Sequence, residues 1–356
     1  MNSKKLLILG SMFLGLCLTA CGGNNEPVSE PEPDNTVDVF VLSGQSNMEG
    51  STIFDGGTGK EWLQKACDRL EIDSTPMLEG FDNVYTSYYG YYPYGVSVHA
   101  SNKSKPMEGL FLNTKVGMGN TDRYMGPEIG IAHVLQERAT EDRPVYLIKC
   151  AFSGSGFDQG DPNWILEGDP RTDRTYNPSQ NLYENKLKIF VENNLKLIED
   201  TGKEPVIKGF LWHQGESDAN KASQANNYKY SMNALIQRFR DDFADYAPDQ
   251  DGENISFIDG YIYDGPNTPY ASVAALNKVK KEIAEEGENN FIINMSYKQT
   301  YGYSTEEDGG PMKLEIGNVQ GQDVEGGYDK YHYKTYDDVK MGIAYGRCII
   351  DNVLTD

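Results

Sequence analysis

The sequence predicts an α/β protein, a three-layer α/β/α sandwich of flavodoxin-like topology with a five-stranded parallel sheet. Three observations carry that expectation. Five short β-rich apolar runs open at Val37, Pro144, Val206, Ile255 and Phe291. Between them lie segments whose apolar residues recur at helical spacing. The runs are also nearly continuous in apolar side chains, the pattern of strands buried on both faces. Strands that alternate with helices in this way need right-handed crossovers and a parallel sheet with helices on either side.

The 356-residue chain begins with Lys4 and Lys5, then the apolar run Leu6 to Leu18. That run is short for a membrane span and has the shape of a signal peptide. It ends in Leu18-Thr19-Ala20-Cys21, which resembles a bacterial lipobox. The resemblance implies cleavage before Cys21 and a lipid on that cysteine. Residues 21–36 place Glu26, Glu30, Glu32 and Asp34 among Pro27, Pro31 and Pro33. Such a segment cannot build a core and is expected to be a disordered acidic linker. The expected organisation is a signal peptide at 1–20, a lipidated linker at 21–36 and one domain at 37–356. The expected location is the outer membrane of a bacterium, facing the periplasm or the cell surface, with contact to the membrane only through the lipid anchor.

The first strand, Val37 to Leu42, breaks into Ser43-Gly44-Gln45-Ser46-Asn47-Met48. Ligands of open α/β sheets bind beyond the carboxyl ends of the strands, which is where Ser46 stands. Met48 occupies the second glycine position of a Gly-x-Ser-x-Gly elbow, so the common α/β-hydrolase turn is disfavoured. Residues 50–124 have little sustained periodicity and are expected to form a long loop insertion. Its tyrosines, Tyr85, Tyr88, Tyr89, Tyr91, Tyr92 and Tyr94, either pack on one another or form a wall of a substrate cleft.

Gly126-Pro127-Glu128 opens a helix, with Pro127 in the first turn and Glu128 near its positive end. The second strand, Pro144 to Lys149, runs into Cys150-Ala151-Phe152-Ser153-Gly154-Ser155. Leu182 to Asp200 is helical, with a stripe of Leu187, Phe190, Val191, Leu195 and Ile198. The third strand, Val206 to Trp212, ends in His213-Gln214-Gly215-Glu216-Ser217-Asp218, where Ser217 or Asp218 can cap the next helix. That helix carries Tyr228, Met232, Leu235, Phe239 and Phe243 on one face. A strand at Ile255 to Ile262, a helix at Val273 to Glu285 and a strand at Phe291 to Met295 follow. A last helix spans about Tyr336 to Asn352, with Thr335 placed to cap it.

A formal net charge of −22 speaks against a nucleic-acid partner. Beyond Cys17 and Cys21 the cysteines are Cys67, Cys150 and Cys348, and no close pair has metal-ligand spacing. The histidines are His99, His133, His213 and His332. His332 lies in Tyr328-Asp329-Lys330-Tyr331-His332-Tyr333, between the last strand and the last helix, at the edge where Ser46 emerges. Asp329, three residues earlier, can bond the far imidazole nitrogen from the same loop. Serine needs an adjacent base to act as a nucleophile, and a carboxylate behind the imidazole fixes its tautomer.

These blocks together resemble the SGNH (GDSL-like) hydrolases, and within them the sialate O-acetylesterase-like domain and carbohydrate esterase family 6. The resemblance rests on Gly44-Gln45-Ser46-Asn47-Met48, Gly126-Pro127-Glu128, Trp212-His213-Gln214-Gly215-Glu216 and Asp329-x-x-His332. It implies Ser46 as nucleophile, His332 as base and Asp329 as its orienting acid. It implies an oxyanion hole from the amides of Ser46 and Gly154 and the side chain of Gln214, with Asn47 and Glu216 as supports. The match at Gly154 is looser, because the stretch Ala151 to Ser155 departs from the family's Ala-x-Gly-Gly-Thr. The implied activity is removal of O-acetyl groups from carbohydrate, either plant polysaccharide or O-acetylated sialic acid, through an acetyl-serine, with no metal and no cofactor. The alternatives are an esterase or lipase on other small acyl esters, and a non-catalytic glycan-binding lipoprotein.

Overall fold

The computed structural model describes residues 35–54, 61–89, 110–157, 163–168, 177–317 and 330–355. The signal peptide, Cys21 and most of the linker lie outside these residues, as do Tyr91, Tyr92, Tyr94, His99 and Asp329. The chain forms β1 (Thr36–Gly44), α1 (Ser46–Glu49), β2 (Thr52–Ile53), α2 (Glu61–Leu70), α3 (Thr75–Glu79) and β3 (Val84–Tyr88). It continues through β4 (Leu112–Asn113), β5 (Tyr124–Met125), α4 (Glu128–Leu135) and β6 (Val145–Ala151). Next come a π-helical turn (Tyr183–Leu187) leading into α5 (Lys188–Glu199), then β7 (Glu204–His213) and α6 (Ala222–Asp242). The last elements are β8 (Ser256–Gly260), α7 (Val273–Glu286), β9 (Asn290–Ile293) and α8 (Thr335–Asn352).

The described strands form a seven-stranded sheet in the order β4-β3-β6-β1-β7-β8-β9 and a small β2-β5 ribbon. Every pairing in the main sheet is parallel except β3 with β4 at its edge. The α/β class and the five expected strands are present, and the count rises to seven. The two additional strands come from residues 50–124, which carry strand, helix and ribbon in place of a plain loop. Strand β3 reads Val-Tyr-Thr-Ser-Tyr. Its two polar residues broke the apolar run that marks a buried strand, yet Thr86 and Ser87 are fully buried, and Thr86 is hydrogen-bonded to Thr114.

The pleat of β1 sorts the two cores. Val37, Val39 and Val41 face a layer built from α5, α6 and α7, through residues such as Phe190, Leu195, Met232, Phe239 and Leu276. Phe40 and Leu42 face the opposite layer, which contains Ile129 and Leu135 of α4, Leu63 of α2 and Met341, Tyr345 and Ile349 of α8. This is the period-2 alternation of a strand buried on both sides. Helices α4 and α8 touch backbone to backbone: a Cβ added at Gly342 would sit 2.2 Å from the Pro127 carbonyl oxygen. The expected cap of α8 is not made. Thr335 is the first helical residue, and its hydroxyl donates to the Ile53 carbonyl at 2.9 Å, tying α8 to β2.

Strand β1 ends between β6 and β7, with Gly44 level with Ala151 on one side and His213 on the other. The chain crosses from one half of the sheet to the other at this point, so three loops leave one short stretch of edge. Gly44 has φ of +139°, and a Cβ there would lie 2.2 Å from the His213 carbonyl oxygen. Gly44→Ala therefore combines a forbidden backbone angle with a backbone clash. We expect a loss of more than about 3 kcal/mol in urea denaturation, with activity falling in parallel.

Candidate active site

Ser46 is the first residue of α1, directly beyond β1, and is 7% exposed. The loop is fixed by main-chain bonds from Gln45 N to His213 O (3.0 Å) and from Phe152 N to Gly44 O (3.1 Å). These bonds carry the β1, β6 and β7 exits side by side, so Ser46, the 152–155 turn and the 213–218 turn form one cluster.

Among the described residues, the backbone donors of that cluster left without an acceptor include those of Ser46 and Gly154. Gly154 has φ of +71°, and a Cβ placed on it would meet nothing within 4 Å, so its open face is unobstructed. Both flanks of Gly154 are pinned. Ser153 N donates to Glu49 Oε2 at 2.9 Å, and the Ser153 hydroxyl bonds the same oxygen. The Ser155 hydroxyl donates to Phe152 O at 2.7 Å and accepts from Trp164 Nε1 at 2.8 Å. Preorganised amides of this kind suit a developing oxyanion.

Gln214, the expected side-chain donor, sits within the cluster. It is fully buried, and its Nε2 donates to Asp218 Oδ2 (2.7 Å), Gln45 Oε1 (3.1 Å) and Ser155 O (3.3 Å). Its two N–H bonds are thus committed to holding the 45, 155 and 218 loops together. Asp218, expected at most to cap a helix, is fully buried and also accepts from Phe157 N at 3.1 Å. The sequence reading missed Glu49 and gave Asp218 only a capping role. Each is a carboxylate a few residues beyond a strand exit, a weak signal on its own, and only burial shows that both are braces.

Asn47 joins the ends of the chain. Its Nδ2 donates to Glu216 Oε1 at 2.6 Å and to the Tyr331 carbonyl at 3.3 Å. The segment holding His332 is stitched in further by Thr52 Oγ1 to Tyr333 O (3.0 Å) and by Gly317 N to His332 O (2.7 Å). His332 is half-buried. Among the described residues the Ser46 hydroxyl has no hydrogen-bond partner, and no bond to His332 is made. Such bonds often tighten only when substrate is bound. His213 is fully buried, with Nε2 3.7 Å from Glu216 Oε1. Burial and then the nearby Lys280 push its pKa well below the usual imidazole value, so it is neutral and packs as an apolar ring beside Tyr333. His133 lies on α4, where it is half-buried, away from these loops.

Beneath the cluster lies a buried ion pair, Lys149 Nζ to Glu128 Oε2 at 2.9 Å. The same ammonium donates to Glu49 O (3.0 Å) and Met118 O (2.6 Å). Lys149 thus ties the end of β6 to α1 and to the start of α4. Of the tyrosines expected either to pack or to line a cleft, Tyr88 and Tyr89 are buried, and Tyr85 packs on Tyr146 with centroids 5.7 Å apart. These three belong to the packing of the protein.

Burial raises the Glu216 carboxyl above its ordinary value of 4.5, opposed by the Asn47 bond and by the nearby charges of Lys280 and His332. A carboxyl whose folded pKa is raised favours the fold while protonated. Its contribution is present below the ordinary value and is lost as pH rises through the raised one. Glu216→Gln is accordingly expected to flatten the fall in urea midpoint that the wild type shows as pH rises above 4.5.

Comparison with known proteins agrees with this architecture. The family model "SASA: Carbohydrate esterase, sialic acid-specific acetylesterase" matches residues 36–351. "Probable carbohydrate esterase At4g34215" from Arabidopsis thaliana is 24% identical over 223 residues, which is 62% of this chain and 69% of that protein. The X-ray structure of the Arabidopsis thaliana protein AT4G34215 superposes with a TM-score of 0.53 at 17% identity, covering 90% of this chain and 100% of that one. The crystal structure of NanS gives a TM-score of 0.53 at 14% identity, covering 90% and 98%. At those identities the two structures speak for the fold alone.

Proposed function

The chain belongs to the sialic acid-specific acetylesterase family of carbohydrate esterases, and from that premise we propose that it is a serine esterase removing O-acetyl groups from carbohydrate. The observation that carries this reading is the pair of unspent amides, Ser46 N–H and Gly154 N–H, on adjoining loops at the centre of the sheet edge. The Ser46 hydroxyl attacks the acetyl carbonyl carbon while His332 takes its proton, and Asp329 holds the imidazole. The carbonyl oxygen becomes an oxyanion received by the two amides. Gln214 is the third donor of the family pattern, and to serve it exchanges its Gln45 bond for the oxyanion. The intermediate collapses, the bond from carbon to the sugar oxygen breaks, and the sugar leaves with the proton from His332. Water, giving its proton to His332, then releases acetate from acetyl-Ser46 and the serine is restored. The chemistry calls on no metal and no cofactor.

Asn47 and Glu216 support the reading as positioning residues, because their bond and the bond to Tyr331 O connect the nucleophile to the histidine segment. Ser46→Ala and His332→Ala should each lower kcat for p-nitrophenyl acetate by about 10³-fold or more, with thermal melts close to wild type. Near-wild-type rates in either variant would refute the assignment. Acetate release from acetylated xylan, pectin and O-acetyl sialoglycans identifies the glycan. Activity confined to simple acyl esters would favour the general esterase reading instead.

The lipobox-like Leu18-Thr19-Ala20-Cys21 supports a lipoprotein of the outer membrane. Cys21→Ala should move the protein from the membrane fraction to the soluble one, and retention at the membrane would sink the anchor.

A further inference from the structure

The tyrosines that sequence alone offered either as mutual packing or as a sugar-binding wall include three that are used up in packing, and a different aromatic residue has its main chain fastened to the site. Tyr331 immediately precedes His332 and is 42% exposed. Single exposed aromatics are common and mean little by themselves. Tyr331 differs from the other exposed large side chains, Leu110, Ile189, Tyr230 and Tyr301, in how it is held. Its carbonyl accepts from Asn47 Nδ2, one residue beyond the nucleophile. Its ring lies against Tyr270, with centroids 6.4 Å apart, and Tyr270 is 6% exposed.

Tyr270 is itself on a braced support. It ends the loop that leaves the carboxyl end of β8, and that loop is tied by Tyr263 OH to Pro266 O (2.7 Å) and Thr268 Oγ1 to Tyr263 O (3.1 Å). An exposed ring thus rests on a buried one, with its main chain fastened to the Ser46 block. Lys330 places its ammonium 5.1 Å from the Tyr331 centroid, adding a donor beside the ring. A tyrosine presents an apolar face with a polar rim and few torsions to freeze, which fits the C–H face and hydroxyl edge of a pyranose.

Resting on the esterase reading above, we propose that Tyr331, backed by Tyr270, is the aromatic platform on which the sugar ring carrying the acetyl group stacks. It determines specificity for carbohydrate over simple esters and takes no part in the proton transfers. The platform should then affect only substrates that own a sugar ring.

The test compares acetylated xylo-oligosaccharide and 9-O-acetyl sialic acid with p-nitrophenyl acetate. Tyr331→Ala is expected to raise KM for the glycan substrate that the wild type uses by about tenfold or more. Its kcat/KM for p-nitrophenyl acetate should stay within about twofold. Tyr331→Trp and Tyr331→Phe should restore the glycan KM to within about threefold of wild type. Unchanged glycan KM in Tyr331→Ala, or an equal loss on both substrate types, would overturn the platform while leaving the serine esterase standing. Retained hydrolysis in Ser46→Ala would overturn the esterase itself. A wild-type enzyme that cleaves p-nitrophenyl acetate but neither glycan would defeat the platform and the carbohydrate assignment together.

Discussion

The molecule depends on how closely three backbones meet at the end of β1. Gly44 lies between Ala151 and His213, and no side chain fits there, because a Cβ would fall on the His213 carbonyl. That contact lets Gln45 N bond His213 O and Phe152 N bond Gly44 O. The exits of three strands are thereby locked at one level. Every residue proposed for the chemistry, apart from those of the 329–332 segment, leaves from this junction within a few positions.

Polar groups buried below the junction keep its loops from sliding. Lys149 is matched by Glu128 and by two carbonyls, so its charge is paired and its donors are spent. On the other side of the sheet Lys280 of α7 bonds both oxygens of Asp259 at 2.6 and 2.7 Å and the Gly260 carbonyl at 3.0 Å. Burial still lifts the Asp259 carboxyl to about 6 against the pull of that lysine. Removing one partner of such a pair leaves an uncompensated buried charge, which costs about 3–5 kcal/mol. These pairs are better understood as fixing the geometry of strand exits than as sources of net stability. A neutral His213 fits the same logic, since a charged ring buried there would be stripped of solvent.

Much of this was legible in the chain. The strands at 37, 144, 206, 255 and 291 were apolar enough to stand out, and their alternation with helical stripes gave the α/β class. Ser46 stood out because it follows a strand in a recognisable block. Strand β3 was hidden because Thr86 and Ser87 are polar, and the Thr86 hydroxyl finds its partner in Thr114, far along the chain. Glu49 and Asp218 were hidden for a related reason. A carboxylate near a turn is ordinarily solvated, and only the approach of Ser153, Phe157 and Gln214 makes each one a buried acceptor. Thr335 had a capping position, but it folds as the first helical residue, and its hydroxyl donates to a carbonyl on β2.

The amino-acid sequence by itself determined the main strands and helices outside residues 50–124, which chemical blocks occur, and in what order. Those properties follow from local periodicity and from neighbours along the chain. Tertiary structure alone decided which polar groups are spent and which are left over. It turned Gln214 toward Asp218 and Gln45, left the amides of Ser46 and Gly154 without acceptors among the described residues, and buried Tyr88 and Tyr89 while exposing Tyr331. A hydrogen-bonding group is free or occupied according to what lies within about 3 Å of it, and here those neighbours are mostly far away in sequence.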